Sequence, residues 1–330
     1  MEHSLLSQFQ GSLLGISLGL SSRLLTDELA ATAVVGSDRQ LESHTDLLNH
    51  QLNLILSWTN SLVSHQRMVL QAWQQVWQNY YDLTPGENKA NASPQFLGEI
   101  AALPMMLLLH DNSDRLRQQL QTLSQCWQVQ SYDTTVELLA FGQIITELLT
   151  PSTHLNQLIP NILTHIPIES QLAQQLTQVQ SLLQQKTSLT TVISQLKPHS
   201  PKHEGFSSSL ALAIYCFLST PRAFSLSVQR AMRIYPDSNL IPGIVGALSG
   251  TYNGLVGIPM TWQLKFSKLA QLRLDAAGKP TANIDILSDQ QILNQATQLF
   301  QVWAGLYCIV DLDAKAKTSL IVAAPGSLLD

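Results

Sequence analysis

The sequence predicts an all-α, single-domain helical bundle, and three observations carry that expectation. Apolar residues recur three and four apart along nearly every segment, while strand-like alternation never persists. Two segments, at residues 4–20 and 240–254, repeat glycine at the same helical spacing. Prolines and polar clusters divide the remainder into pieces of helix length. With 330 residues and a hydrophobic content of 45%, the chain can supply one large core.

The first helix is read over Ser4 to about Leu20, where Gly11, Gly15 and Gly19 share one face. Each glycine gives up roughly 1 kcal/mol of helix propensity relative to alanine, so close packing must offset the loss. A matching face at Gly243, Gly246, Gly250 and Gly254 is the natural partner, which puts the amino-terminal helix at the centre. Residues 21–45, with Gly36-Ser37-Asp38, read as loop, and a helix starts near Thr45-Asp46 and runs through LLNHQLNLILSWTNSLV. The next, from His65 to Tyr81, sets Trp73, Val76, Trp77 and Tyr80 on one face, a core pattern without interleaved cations.

A turn-rich loop, LTPGENKANASP, separates that helix from Gln95 to His110, which Pro104 interrupts. Two amphipathic helices follow, Ser113 to Val129 opened by Asn112 or Ser113, and Tyr132 to Leu149 with Asp133 as the N-cap candidate. Residues 151–201 divide into three shorter helices with breaks at Pro160, Pro167 and Pro198. The segment SLALAIYCFLSTPRAFSLSVQRAMRIY precedes the second glycine helix, for which Asn239 is the N-cap and Pro242 stands at N3. Asp237 suits the positive end of the same helix. A charged helix to about Asp275 and another from Asp289 to Val310 complete a domain over residues 1–312. Residues 313–330, with Lys315, Lys317 and Pro325-Gly326, read as a poorly ordered tail. Asp311 and Asp313 lie two apart and do not share a helix face.

Charged residues make up only 12% of the chain and the net charge is −5, so no basic stripe exists for nucleic acid and no cationic amphipathic helix for a membrane surface. No apolar run approaches the roughly 20 residues that span a bilayer. Cys126, Cys216 and Cys308 are scattered among apolar neighbours, as buried thiols in a reducing compartment would be, and a cytoplasmic location is expected. His154, His165, His199 and His203 lack metal-ligand spacing. The expected partner is a protein or a small molecule.

The stretch YPDSNLIPGIVGALSGTYNGLVGIPMTW, residues 235–262, resembles the carboxy-terminal signature of the ADP-ribosylglycohydrolase family, in which a Gly-Gly-Asp-Thr-Asp-Thr-Ile segment opens a helix of the type AxAGALxGAxYG followed by IPxxW. The first helix, GSLLGISLGL, is similar to the family's GxLLGLAVGDALG up to the Asp, which is Leu20 here. Aligned on Leu52 and Leu54, the family's Thr-Asp-Asp-Thr element becomes Thr45, Asp46, Leu47 and Leu48. Its Met and Arg in Gly-Asn-Gly-Ala-x-Met-Arg-x-x-Pro-Leu fall on Ile100 and Ala101, and its Thr-His pair on Ser131-Tyr132.

The resemblance implies the family's fold and a site in which two magnesium ions, held between the two Asp-bearing elements, activate water for cleavage of the glycosidic bond to ADP-ribose. Hard cations need several oxygen ligands, preferably anionic. The inventory here is Asp46, Asp237, Ser238 and Asn239, against Leu47, Leu48 and Leu240, which carry no lone pairs. The expectation is therefore a pseudoenzyme with the magnesium site lost and no cofactor, acting through a protein partner or an ADP-ribose-like ligand, with the glycines of the two helices lining a cleft. The alternative is an active Mg2+-dependent hydrolase that removes ADP-ribose from proteins with a rearranged site. A third reading, a helical interaction protein alike only in glycine packing, is disfavoured because several segments agree in order and spacing.

Overall fold

A computed structural model describes residues 3–25, 39–83, 94–126, 132–151, 154–196, 206–235, 238–271, 288–308 and 320–322. Helices follow in the order α1 (Leu5–Leu20), α2 (Arg39–His65), α3 (Leu70–Leu83), α4 (Pro94–Ala101), α5 (Leu103–Leu108), α6 (Ser113–Cys126), α7 (Tyr132–Leu149), α8 (Leu155–Leu163) and α9 (Gln171–Gln184). They continue with α10 (Leu189–Leu196), α11 (Phe206–Ser219), α12 (Phe224–Met232), α13 (Leu240–Asn253), α14 (Met260–Gln271) and α15 (Asp289–Trp303), with a 3-10 turn at Leu255–Gly257. Strand β1 (Leu306–Cys308) pairs antiparallel with β2 (Leu320–Val322), so part of the segment expected as a tail folds back on the strand that follows α15.

The glycine seam is the centre of the molecule. Ser4 caps α1 by accepting from the Ser7 amide at 3.3 Å, and every residue from Gly11 to Leu20 is buried. α1 lies antiparallel on α13, backbone against backbone. A methyl group placed on Gly15 would overlap the Gly246 carbonyl oxygen, and one on Gly246 would overlap that of Gly15; Gly11 meets Gly250, and Gly19 meets Pro242, in the same register. Thr251 Oγ1 donates to Ser12 Oγ at 2.9 Å across the seam, and Gln8 Nε2 donates to the carbonyls of Leu148 and Thr251. Helices α7, α11, α12 and α15 surround this pair. The aromatic face expected from sequence packs inward, with Trp58 and Trp73 stacked at 4.4 Å and both buried.

Several boundaries differ from expectation. α2 begins at Arg39, because neither glycine nor proline stands between Arg39 and Thr45 to stop it; Thr45 and Asp46 therefore lie inside the helix. It also runs on to His65, where Gln66 at φ 55° ends it, and α3 starts only at Leu70. α7 starts at Tyr132, which puts Asp133 in its first turn rather than at the cap. Pro160 sits within α8 instead of breaking it; burial of Leu158, Ile159 and Ile162 on the core offsets the lost backbone hydrogen bond. α15 stops at Trp303, short of Val310, as Gly305 turns the chain at φ 67° into β1. Asp311, Asp313, Lys315, Lys317, Pro325 and Gly326 lie outside the described residues, as do His199, His203 and Asp275.

Among the described residues, no helix is long and apolar enough to cross a membrane. Cys216 is buried, and burial pushes its thiol pKa up to about 12. The side chains of Cys126 and Cys308 lie outside the described residues.

Candidate functional site

Of the polar positions singled out from sequence, Ser238 and Asn239 stand on the turn that leads into α13. Asp237 lies outside the described residues. Asp46 is described only as backbone within α2. The two carboxylates thus have no described position, whereas Ser238 and Asn239 do.

Asn239 takes the N-cap position and its carbonyl accepts the first helical bond, from the Gly243 amide at 2.9 Å. Its side chain, however, makes no capping bond. An N-cap side chain reaches the amide of N2 or N3 from an extended backbone. Here ψ is 0°, and N3 is Pro242, which has no N–H to give. Ser238 supplies a local contact instead, its Oγ accepting from the Leu240 amide at 3.3 Å. Asn239 Oδ1 is left buried, with no hydrogen-bond partner among the described residues.

Arg23, on the turn after α1, closes the same corner. Its Nη2 donates to the Tyr235 carbonyl at 2.5 Å and reaches the Ser238 carbonyl at 3.5 Å, bridging residues far apart in the chain. In the register of the motif that α1 resembles, Arg23 falls on the closing glycine, two residues beyond the small side chain of Ser21. That substitution was a legible signal that the sequence reading passed over.

A second feature that reading missed is a pair of buried acids. Glu99 on α4 is fully buried, and neither of its oxygens finds a donor among the described residues. Burial, and then the neighbouring Glu137 on α7, raise the Glu99 pKa well above the usual carboxylate range, which favours its protonated form. Glu137 is better served: it accepts from both the amide, at 3.0 Å, and the hydroxyl of Ser207 at the start of α11. The signal for both was a carboxylate within an apolar run, at LGEIAAL and TTVELLAF. Ile100 and Ala101, beside Glu99, are buried and apolar.

The six glycines do not line a cleft. Gly11, Gly15 and Gly19 touch α13 or the turn beyond it, and Gly246 and Gly250 touch α1, closely enough that no space for a ligand remains between the two backbones. Gly254 instead ends α13 at φ 63°, a conformation L side chains rarely adopt, with Ser7 Oγ 2.6 Å from where a Cβ would stand.

No curated protein matches the chain. A sequence model described as ADP-ribosylglycohydrolase matches residues 22–297, from the turn that bears Arg23 through most of the last helix. That span covers the great majority of the chain and contains the Asn239 turn and the whole of α13, so the helical fold and the sequence agree: this protein belongs to the ADP-ribosylglycohydrolase family.

Proposed function

We propose that this chain is a non-hydrolysing member of its family, acting through binding of a protein or of an ADP-ribose-like ligand, without a magnesium centre. The observation that carries this reading is the guanidinium of Arg23 on the carbonyls of Tyr235 and Ser238. The guanidinium already takes two backbone oxygens of this turn, the kind of hard donor that a magnesium ion bound beside it would draw on. The aliphatic Leu47, Leu48 and Leu240, in positions where the resemblance expects oxygen ligands, act in the same direction.

One observation favours the alternative, an active Mg2+-dependent hydrolase with a rearranged site. The buried Asn239 Oδ1, without a donor among the described residues, is an oxygen of the kind a cation would take. With Asp46 and Asp237 it would make a small ligand set. Magnesium titration by calorimetry, with and without ADP-ribose, together with an assay of ADP-ribose release from modified arginine or serine, separates the readings. No magnesium heat and no turnover are expected. Metal-dependent turnover that Asp46→Ala and Asp237→Ala each abolish would overturn the proposal.

A further inference from the structure

A cavity of about 670 Å3 opens between α8, α9, α11 and α12 and shares no lining residue with the Asn239 turn. Its volume is that of a small-molecule pocket. Ile159, Leu183 and Leu218 give it apolar walls, and among the described residues Lys186 and Arg230 are its charged residues and no carboxylate lines it.

Arg230 is the informative residue. Its guanidinium carbon stands 5.7 Å from the centroid of the Tyr215 ring, and its Nε is buried without a hydrogen-bond partner among the described residues. No acidic side chain pairs with it or with Lys186 among those residues. Nearby backbone acceptors are already engaged. The Tyr215 hydroxyl donates to the Thr187 carbonyl at 2.5 Å, the Lys186 and Thr187 amides hold the carbonyls of Leu183 and Leu182, and Thr220 holds those of Phe217 and Cys216. An arginine cannot shed its charge, so a half-buried one without an anionic neighbour takes its counter-charge from outside the protein.

We propose that this cavity binds a small organic phosphate, its apolar or aromatic body against the leucines and its phosphate between Arg230 and Lys186. Two cations match a dianion, and the planar guanidinium fork matches two of its oxygens. The inference does not depend on whether the Asn239 turn holds a metal.

Calorimetry on the full chain tests it with three probes, phenyl phosphate, inorganic phosphate and benzyl alcohol. Phenyl phosphate is expected to bind with a Kd below about 1 mM, more tightly than either of the others. Arg230→Gln and Lys186→Gln should each weaken it roughly tenfold or more, and Arg230→Lys by less, since it keeps the charge and loses the fork. Thermal midpoints of the unliganded variants, expected near that of the parent, show that each is folded. Undiminished binding in the folded Gln variants, inorganic phosphate binding as tightly as phenyl phosphate, or no binding of phenyl phosphate at about 10 mM would each overturn the proposal.

Discussion

Two arginines in this molecule are placed alike in sequence terms and differ in what they touch. Arg23 follows the last turn of α1 and Arg230 stands in the last turn of α12, and neither is fully buried. Arg23 donates to the backbone carbonyls of Tyr235, which also accepts from the Ser238 amide, and of Ser238, and so ties the end of the central helix to the approach of α13. Arg230 lies over the Tyr215 ring, its side-chain polar contact is with that tyrosine, and among the described residues it donates to no carbonyl. A guanidinium that bridges two distant carbonyls acts as a clamp. One that stands beside an apolar cavity without such acceptors is a binding feature, because its hydrogen-bonding capacity is still available to a ligand.

The largest effect is expected where both corners are anchored, in the glycine seam. Gly246→Ala forces a methyl group into the Gly15 carbonyl, and only separation of the two backbones relieves it. A loss of about 4 kcal/mol or more, read as a collapse of the denaturation midpoint, is expected. Gly243→Ala is the internal control, since the new methyl would meet a Leu20 methyl at 2.8 Å, a side-chain tip that can move; a change within about 1 kcal/mol is expected. Equal losses for the two variants would show that the seam is not held backbone to backbone.

The comparison of the arginines gives the next effect. Arg23→Ala should cost about 1–2 kcal/mol of unfolding free energy in urea, the range for hydrogen bonds to a charged group discounted for partial exposure. Arg230→Ala should cost no more than about 1 kcal/mol, the cation–π contact and the polar contact with Tyr215 together, discounted for partial exposure. A reversed order would remove the distinction between clamp and binding feature.

The smallest effect concerns Glu99 against Glu137, one buried carboxyl without donors and one with two. The folded-state pKa of Glu99 is raised above the ordinary 4.5, first by burial and then by Glu137. Below 4.5 the group is protonated in both folded and unfolded chains and makes no difference. As pH rises above that value the unfolded chain ionises while the folded one keeps its proton, so stability declines until the folded pKa is passed. Glu99→Gln should flatten this decline in the thermal midpoint from about pH 5 upward, as measured by a pH series. A wild-type midpoint that rises with pH over that range while the variant's stays level would contradict the assignment.

Much of the fold was legible in local pattern. Glycines four apart marked the seam, since no other residue admits such backbone approach, and Asn112 and Ser4 announced helix starts that the structure shows, with Asn112 Oδ1 accepting from the Arg115 amide at 3.0 Å. The site was less legible. Asn239 was correctly placed at the N-cap, yet the capping role failed on a consequence of Pro242 already visible in the chain, the missing N3 amide. Arg23 carries no signal in its own neighbourhood of what it binds, because its acceptors lie more than two hundred residues away. The start of α2 was missed because the loop-like composition of residues 21–38 was carried on to Thr45, past the point where helix breakers cease.

What the sequence determined alone was periodicity: which residues face inward on each helix, where glycine permits two backbones to meet, and membership of a helical family. Those are properties of residues a few positions apart, fixed by the pitch of one helix. Only the tertiary structure decided that the glycine faces close on each other without a cleft, that Arg23 reaches the turn before α13, that Glu99 and Glu137 share a buried corner, and that Arg230 stands in a cavity that no acid among the described residues lines. Each depends on a pairing of distant segments, and the energy of a charge is set by whatever that pairing brings within a few ångströms of it.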